Sequence, residues 1–163
     1  MERFIFGVLL VVALSLSGTG ADPRCPPSWS FYKENCYKVF RLPKSWDAAE
    51  NFCKEEEEGG HLVSIQNKRE RDFVAELVSG KVFFLNVWIG LSAEKKSRIL
   101  KWSDGSSFYY KSWALGEPNN FFGREYCVAL RRWSGYREWN DMYCGFKRPF
   151  VCKFQPQGEG STW

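Results

Sequence analysis

Five side chains that end in oxygen lie in two nearby stretches of the chain. Glu117, Asn119 and Glu125 fall in the first, Asn140 and Asp141 in the second. Calcium takes roughly six to eight hard oxygen ligands, whereas zinc favours the nitrogen of His and the sulfur of Cys, so this set suits Ca2+ and suits Zn2+ poorly. Pro118 sits between two of the five. X-Pro bonds are the only peptide bonds for which the cis form is cheap, and a cis Glu117-Pro118 bond would let both flanking side chains face one ion. A polar surface turn is the competing reading of the triplet alone, because Gly116, Pro118 and two asparagines are turn residues. Glu125 and the Asn140-Asp141 pair tip the balance towards a calcium site.

The elements that must carry these residues are legible in outline. Residues 29–40 alternate aromatic and polar side chains about a Glu34-Asn35 turn and predict a hairpin. Ser45 is an N-cap for a helix over residues 46–58, with Asp47 and Glu50 near its positive end and Gly59-Gly60 as its stop. Trp46, Ala49, Phe52 and Cys53 share one face of it. The acidic run 55–58 points around the helix and reads as a solvated last turn. Asn67 with Glu70 forms a capping-box pattern for a second helix, with Phe73, Val74, Leu77 and Val78 as its stripe and Gly80 as its end. Residues 82–91 (VFFLNVWIGL) are apolar, β-branched or aromatic and predict a buried strand. Short strand-like runs follow at 100–102, 126–130, 135–139 and 150–154, and the tail from Gln155 is polar. The fold class is α+β in one domain: two helices early, then a loop-rich β half that holds the oxygen ligands.

Residues 1–21 read as a secretory signal, with Arg3, an apolar run over 4–16, and the small residues Ser17 to Ala21. The run is too short to span a membrane. The expected mature chain is 22–163, secreted and extracellular. Export makes the six cysteines readable as disulfides, although the number alone leaves every pairing open. The net charge of +4 is spread out and gives no basic stripe for nucleic acid. Eight tryptophans give a small domain enough apolar area for a solid core.

The chain resembles the C-type lectin domain family. The resemblance covers residues 25–153 and rests on Trp88-Ile89-Gly90-Leu91, Glu117-Pro118-Asn119, Trp139-Asn140-Asp141 and the cysteine spacing. The leader is also similar to those of snake-venom members, which implies a venom protein. The fold implied is two helices, a small antiparallel sheet and long calcium-binding loops, with disulfides Cys25–Cys36, Cys53–Cys152 and Cys127–Cys144. The resemblance further implies that Glu117, Asn119, Glu125, Asn140 and Asp141 hold one Ca2+. Glu117, Asn119, Glu125 and Asn140 would then also bond a sugar of the mannose, fucose or N-acetylglucosamine type. Phe121 is a candidate to pack on that sugar. Some relatives hold a further structural calcium, but Leu91-Ser92-Ala93, Asn120 and Tyr126 stand where its ligands would be, so one ion is expected.

The function implied is a calcium-dependent lectin that agglutinates cells through surface glycans, possible as a non-covalent homo-oligomer. The alternative is a calcium-independent venom protein that binds clotting factors or platelet receptors. Such relatives have degraded calcium ligands and an extra cysteine in the long loop; this chain keeps all five ligands and has no cysteine between Cys53 and Cys127. An enzyme is not expected: His61 is the only histidine, and there is no phosphate loop or nucleophile elbow.

Overall fold

The computed structural model describes residues 24–158, so the leader expected at 1–21 and the tail end with Trp163 lie outside the described residues. Both helices begin where their caps indicate. Ser45 accepts from the Ala48 N–H at 3.4 Å ahead of α1 (Trp46–Glu56), and Asn67 accepts from the Glu70 N–H at 2.9 Å ahead of α2 (Lys68–Ser79). The first helix stops short of residue 58 because Glu57 already has extended backbone angles. Among the described residues no helix is long and apolar enough to cross a membrane.

Among the described residues eight strands form one sheet. They are β1 (Ser30–Tyr32), β2 (Asn35–Lys44), β3 (His61–Leu62), β4 (Val87–Ala93), β5 (Leu100–Trp102), β6 (Glu125–Leu130), β7 (Trp139–Tyr143) and β8 (Arg148–Phe154). Their order is β1-β2-β8-β4-β6-β7, with β3 on β8 and β5 on β4. The pairings are antiparallel except between β4 and β8, where Trp88 meets Phe150 in parallel. Strand alternation then makes two cores. Tyr37, Val39, Ile89, Leu91, Val128 and Val151 pack with Val74 and Val78 of α2. Cys36, Phe40, Trp88, Phe150 and Cys152 pack with Trp46, Ala49 and Cys53 of α1.

The WIGL stretch serves both cores. Trp88 faces α1, Ile89 and Leu91 face α2, and Gly90 lies where a Cβ would come within 2.5 Å of the Leu62 carbonyl oxygen. That close approach lets the Gly90 N–H donate to Val63 O at 2.8 Å and its carbonyl accept from the Ser103 N–H at 2.8 Å. The three disulfides join Cys25 to Cys36, Cys53 to Cys152 and Cys127 to Cys144, with no free cysteine.

Several expected boundaries move. The hairpin turns at Lys33 and Glu34, both at positive φ, and Tyr32 pairs with Asn35, one residue earlier than expected. Of the run 82–91 only the part from Val87 is strand. Phe83 and Phe84 are 69% and 77% exposed, so apolar composition there marks a surface loop rather than a core strand. The strand expected over 135–139 begins only at Trp139, because Gly135 and Tyr136 adopt positive φ and turn the chain. Glu50 does not serve the positive end of α1: it is buried, meets His61 Nδ1 at 2.6 Å and accepts from the Leu62 N–H and the Ser103 hydroxyl.

Glu70 likewise turns inward instead of completing the capping box on Asn67. Its carboxylate accepts from the Tyr37 hydroxyl at 2.8 Å, the Gln66 N–H at 2.7 Å and Lys153 Nζ at 2.6 Å, tying α2 to β2 and β8. Both members of the ion pair are almost enclosed, at 6% and 12% side-chain exposure. Glu70→Gln strands the Lys153 ammonium, and it is expected to destabilise the fold by about 3 kcal/mol. Urea unfolding measures this, and a loss under about 0.5 kcal/mol, as for a surface substitution, would show the pair to be inert.

Candidate functional site

Trp139 determines where the residues after it stand. Its ring is fully buried and meets Trp102, Tyr110 and Trp113 edge-to-face, with centroids 5.7, 5.8 and 5.7 Å away. Its backbone pairs with the incoming loop: the Trp139 N–H donates to Ser112 O at 2.8 Å, and the Ala114 N–H donates to Trp139 O at 3.0 Å. From Ala114 the chain turns through Gly116 (φ +82), and the Glu117 N–H closes that turn on Ala114 O at 3.0 Å. Glu117 thereby arrives beside Asp141, two residues beyond Trp139 on β7. The Glu117-Pro118 bond is cis.

The next residues wrap the two carboxylates. The Asn119 N–H donates to Asp141 Oδ1 at 3.0 Å and the Asn120 N–H to Asp141 Oδ2 at 2.7 Å. The Phe121 N–H donates to Glu125 Oε2 at 3.0 Å, and Asn119 Nδ2 donates to Glu117 Oε1 at 3.3 Å. Asn120 reaches αL to allow this and accepts from the Glu125 N–H at 3.3 Å. Glu125 opens β6, opposite Tyr143 of β7, and the Cys127–Cys144 disulfide joins the two strands just beyond that pair.

Glu117, Asn119, Glu125 and Asp141 are thus brought together from three segments of chain. Asn140 lies next to Asp141 on β7, half-buried, and its side chain makes no hydrogen bond to the other four. Asn140 is therefore the member that the cluster's hydrogen bonds leave out.

The electrostatics of the cluster are one-sided. Among the described residues no Lys, Arg or His forms an ion pair with Glu117, Glu125 or Asp141. Partial burial, reinforced by a hydrogen bond and charge repulsion from Asp141, pushes the Glu117 carboxyl up to about 7. Glu125 is raised too, by burial first and then by Asp141, against the opposing pull of the Phe121 N–H. Among the described residues no three His, Cys, Asp or Glu side chains already form a metal cage. The donors nonetheless fit a hard divalent cation: all are oxygens, three are carboxylates, and no positive side chain neutralises them.

Phe121 stands at the rim, 60% exposed, in a short 3-10 turn with Phe122 and Gly123. Arg124, Tyr143 and Phe146 share an open cavity with Phe121, Phe122 and Glu125, and sequence reasoning gave them no part. The available signal was position: Tyr143 directly precedes Cys144, and Arg124 directly precedes Glu125.

The family model described as Lectin C-type domain matches residues 42–154. The chain is 64% identical to C-type lectin lectoxin-Lio1 of Erythrolamprus poecilogyrus over all of both chains. It is 50% identical to snaclec agglucetin subunit alpha-2 of Deinagkistrodon acutus, over 96% of this chain and 99% of the relative. Among solved structures, human lithostathine is 40% identical with a TM-score of 0.75, covering 80% of this chain and 99% of its own. These names are those of binding proteins, not enzymes. The chain belongs to the C-type lectin domain family.

Proposed function

We infer that the protein is an exported, calcium-dependent lectin for sugars of the mannose, fucose and N-acetylglucosamine type. The reading is carried by one observation: the carboxylates of Glu117, Glu125 and Asp141 crowd together, and among the described residues no cationic side chain pairs with them. Glu117, Asn119, Glu125, Asn140 and Asp141 would hold one Ca2+. A bound ion supplies coordination positions that two adjacent sugar hydroxyls can take from water. The residues do the rest. Glu117 and Glu125 accept hydrogen bonds from those hydroxyls, and the amides of Asn119 and Asn140 donate to them. Exposed Phe121 is placed to lie against the ring.

A shallow site of this kind binds a monosaccharide on the order of millimolar, so an effect on glycan-coated cells requires several sites acting together. All cysteines are paired, so such an assembly is non-covalent. The snaclec relative supports a second reading, a calcium-independent venom protein that binds clotting factors or platelet receptors.

Retention on immobilised mannose should be abolished by a calcium chelator and restored by Ca2+; retention that ignores the chelator refutes the calcium-dependent site, and no retention with or without Ca2+ favours the second reading. The cation needs Glu117 ionised, so protons compete with it below about pH 7. Apparent calcium affinity should therefore be full above that pH and fall by about tenfold from about pH 8 to about pH 6, for one competing proton. Calorimetric titration reads this, and a flat profile across that range would be inconsistent with the site. Finally, Glu117→Gln with Asn119→Asp exchanges acceptor for donor along the triplet. Mannose binding should weaken by about tenfold and the preference move towards galactose; an unchanged sugar ranking on a glycan array would show that the triplet does not set selectivity.

A further inference from the structure

Beside the carboxylate cluster lies an open cavity of about 510 Å3, lined by Phe121, Phe122, Arg124, Glu125, Tyr143 and Phe146. Its size is in the range of small-molecule sites. Four of its six lining residues are aromatic and all four are exposed, at 60% for Phe121, 82% for Phe122, 52% for Tyr143 and 44% for Phe146. Aromatic rings left in water side by side form a patch of the sort that marks a binding surface rather than a core. The rings are also held in place. Tyr143 and Phe146 meet edge-to-face with centroids 5.5 Å apart, across a turn closed by the Phe146 N–H on Tyr143 O at 3.1 Å. Phe121 and Phe122 do the same at 4.3 Å, and Phe122 keeps a left-handed backbone (φ 51) that is unfavourable for an aromatic residue.

We propose that this cavity is a subsite for the second pyranose ring of an oligosaccharide whose first ring occupies the neighbouring site. The inference rests on the sugar-binding reading above. Continuity links the two places: Glu125 lines the cavity, accepts from the Phe121 N–H, and pairs directly with Tyr143 across β6 and β7. The lining chemistry selects the occupant. A pyranose has an apolar C–H face bordered by hydroxyls, which match aromatic faces bordered by the donor Arg124 and the acceptor Glu125. An acyl chain would set the Arg124 guanidinium against hydrocarbon, so it fits less well.

The test compares methyl α-mannoside with α-linked mannobioses by calorimetry in Ca2+, using the full protein and the double variant Phe122→Ala/Phe146→Ala. Both side chains are exposed, so the variant keeps the fold. In the wild type at least one mannobiose should bind about tenfold more tightly than the monosaccharide, the scale of aromatic stacking. The double variant should lose that gain and bind methyl α-mannoside unchanged. Equal affinities in the wild type, or a gain that survives both substitutions, overturn the subsite while leaving the primary site standing. Failure of every mannoside to bind overturns the primary site and the subsite together.

Discussion

Holding three carboxylates close together without a positive side chain is the demand that the rest of the site is built to meet. Bringing like charges together out of water is unfavourable, and the upward displacement of Glu117 and Glu125 is the sign of it. The offset comes from the backbone. Three successive N–H groups, of Asn119, Asn120 and Phe121, all donate to these carboxylates, forming a concave donor surface suited to anions. That surface exists only because the loop is led past β7 in a fixed register. The register is set by Trp139, whose ring is locked among Trp102, Tyr110 and Trp113 while its backbone clasps Ser112 and Ala114. Trp139 thus acts on the site through position alone, and its own ring lies in the core.

Much of this arrangement could be read from the chain, for physical reasons that differ from element to element. Helix starts were legible at Ser45 and Asn67 because capping is a local hydrogen bond between residues three apart. Glu117, Asn119, Glu125 and Asp141, which the structure brings together, were legible because oxygen-only side chains at family spacing are specific, and the disulfide pairing followed from the resemblance. Legibility failed where the outcome depended on residues far away. Glu50 and Glu70 look like ordinary helix acids, yet both are buried. Their partners, His61 and Ser103 for one and Tyr37 and Lys153 for the other, come from other elements. Phe83 and Phe84 failed in the opposite sense. Composition cannot distinguish an apolar loop from a buried strand when neither has a polar alternation to break. Tyr143 and Phe146 were missed because their significance lies in a cavity, which no spacing encodes.

Glu117, Asn119 and Glu125 themselves lie outside both cores, and this bears on how one scaffold can host unlike functions. Between Trp102 and Cys127 only Ala114 is buried. Phe108, Tyr110 and Trp113 anchor the first part of the segment on the core through Trp102 and Trp139, whereas the part from Leu115 to Arg124 contains no buried residue and is held by backbone clasps and its own turns. Loops of this length without regular structure are uncommon in compact domains and usually carry function. Substitutions at Glu117, Asn119 or Glu125 therefore remove little apolar packing, and the sheet, α1 and α2 have no reason to respond. The fold consequently says nothing by itself about whether a member binds sugar. On the proposed reading that information resides in the five oxygen-bearing side chains Glu117, Asn119, Glu125, Asn140 and Asp141. Their presence is not explained by stability, because three uncompensated carboxylates weaken the loop they sit in. Under the proposed reading, a bound cation would offset that repulsion.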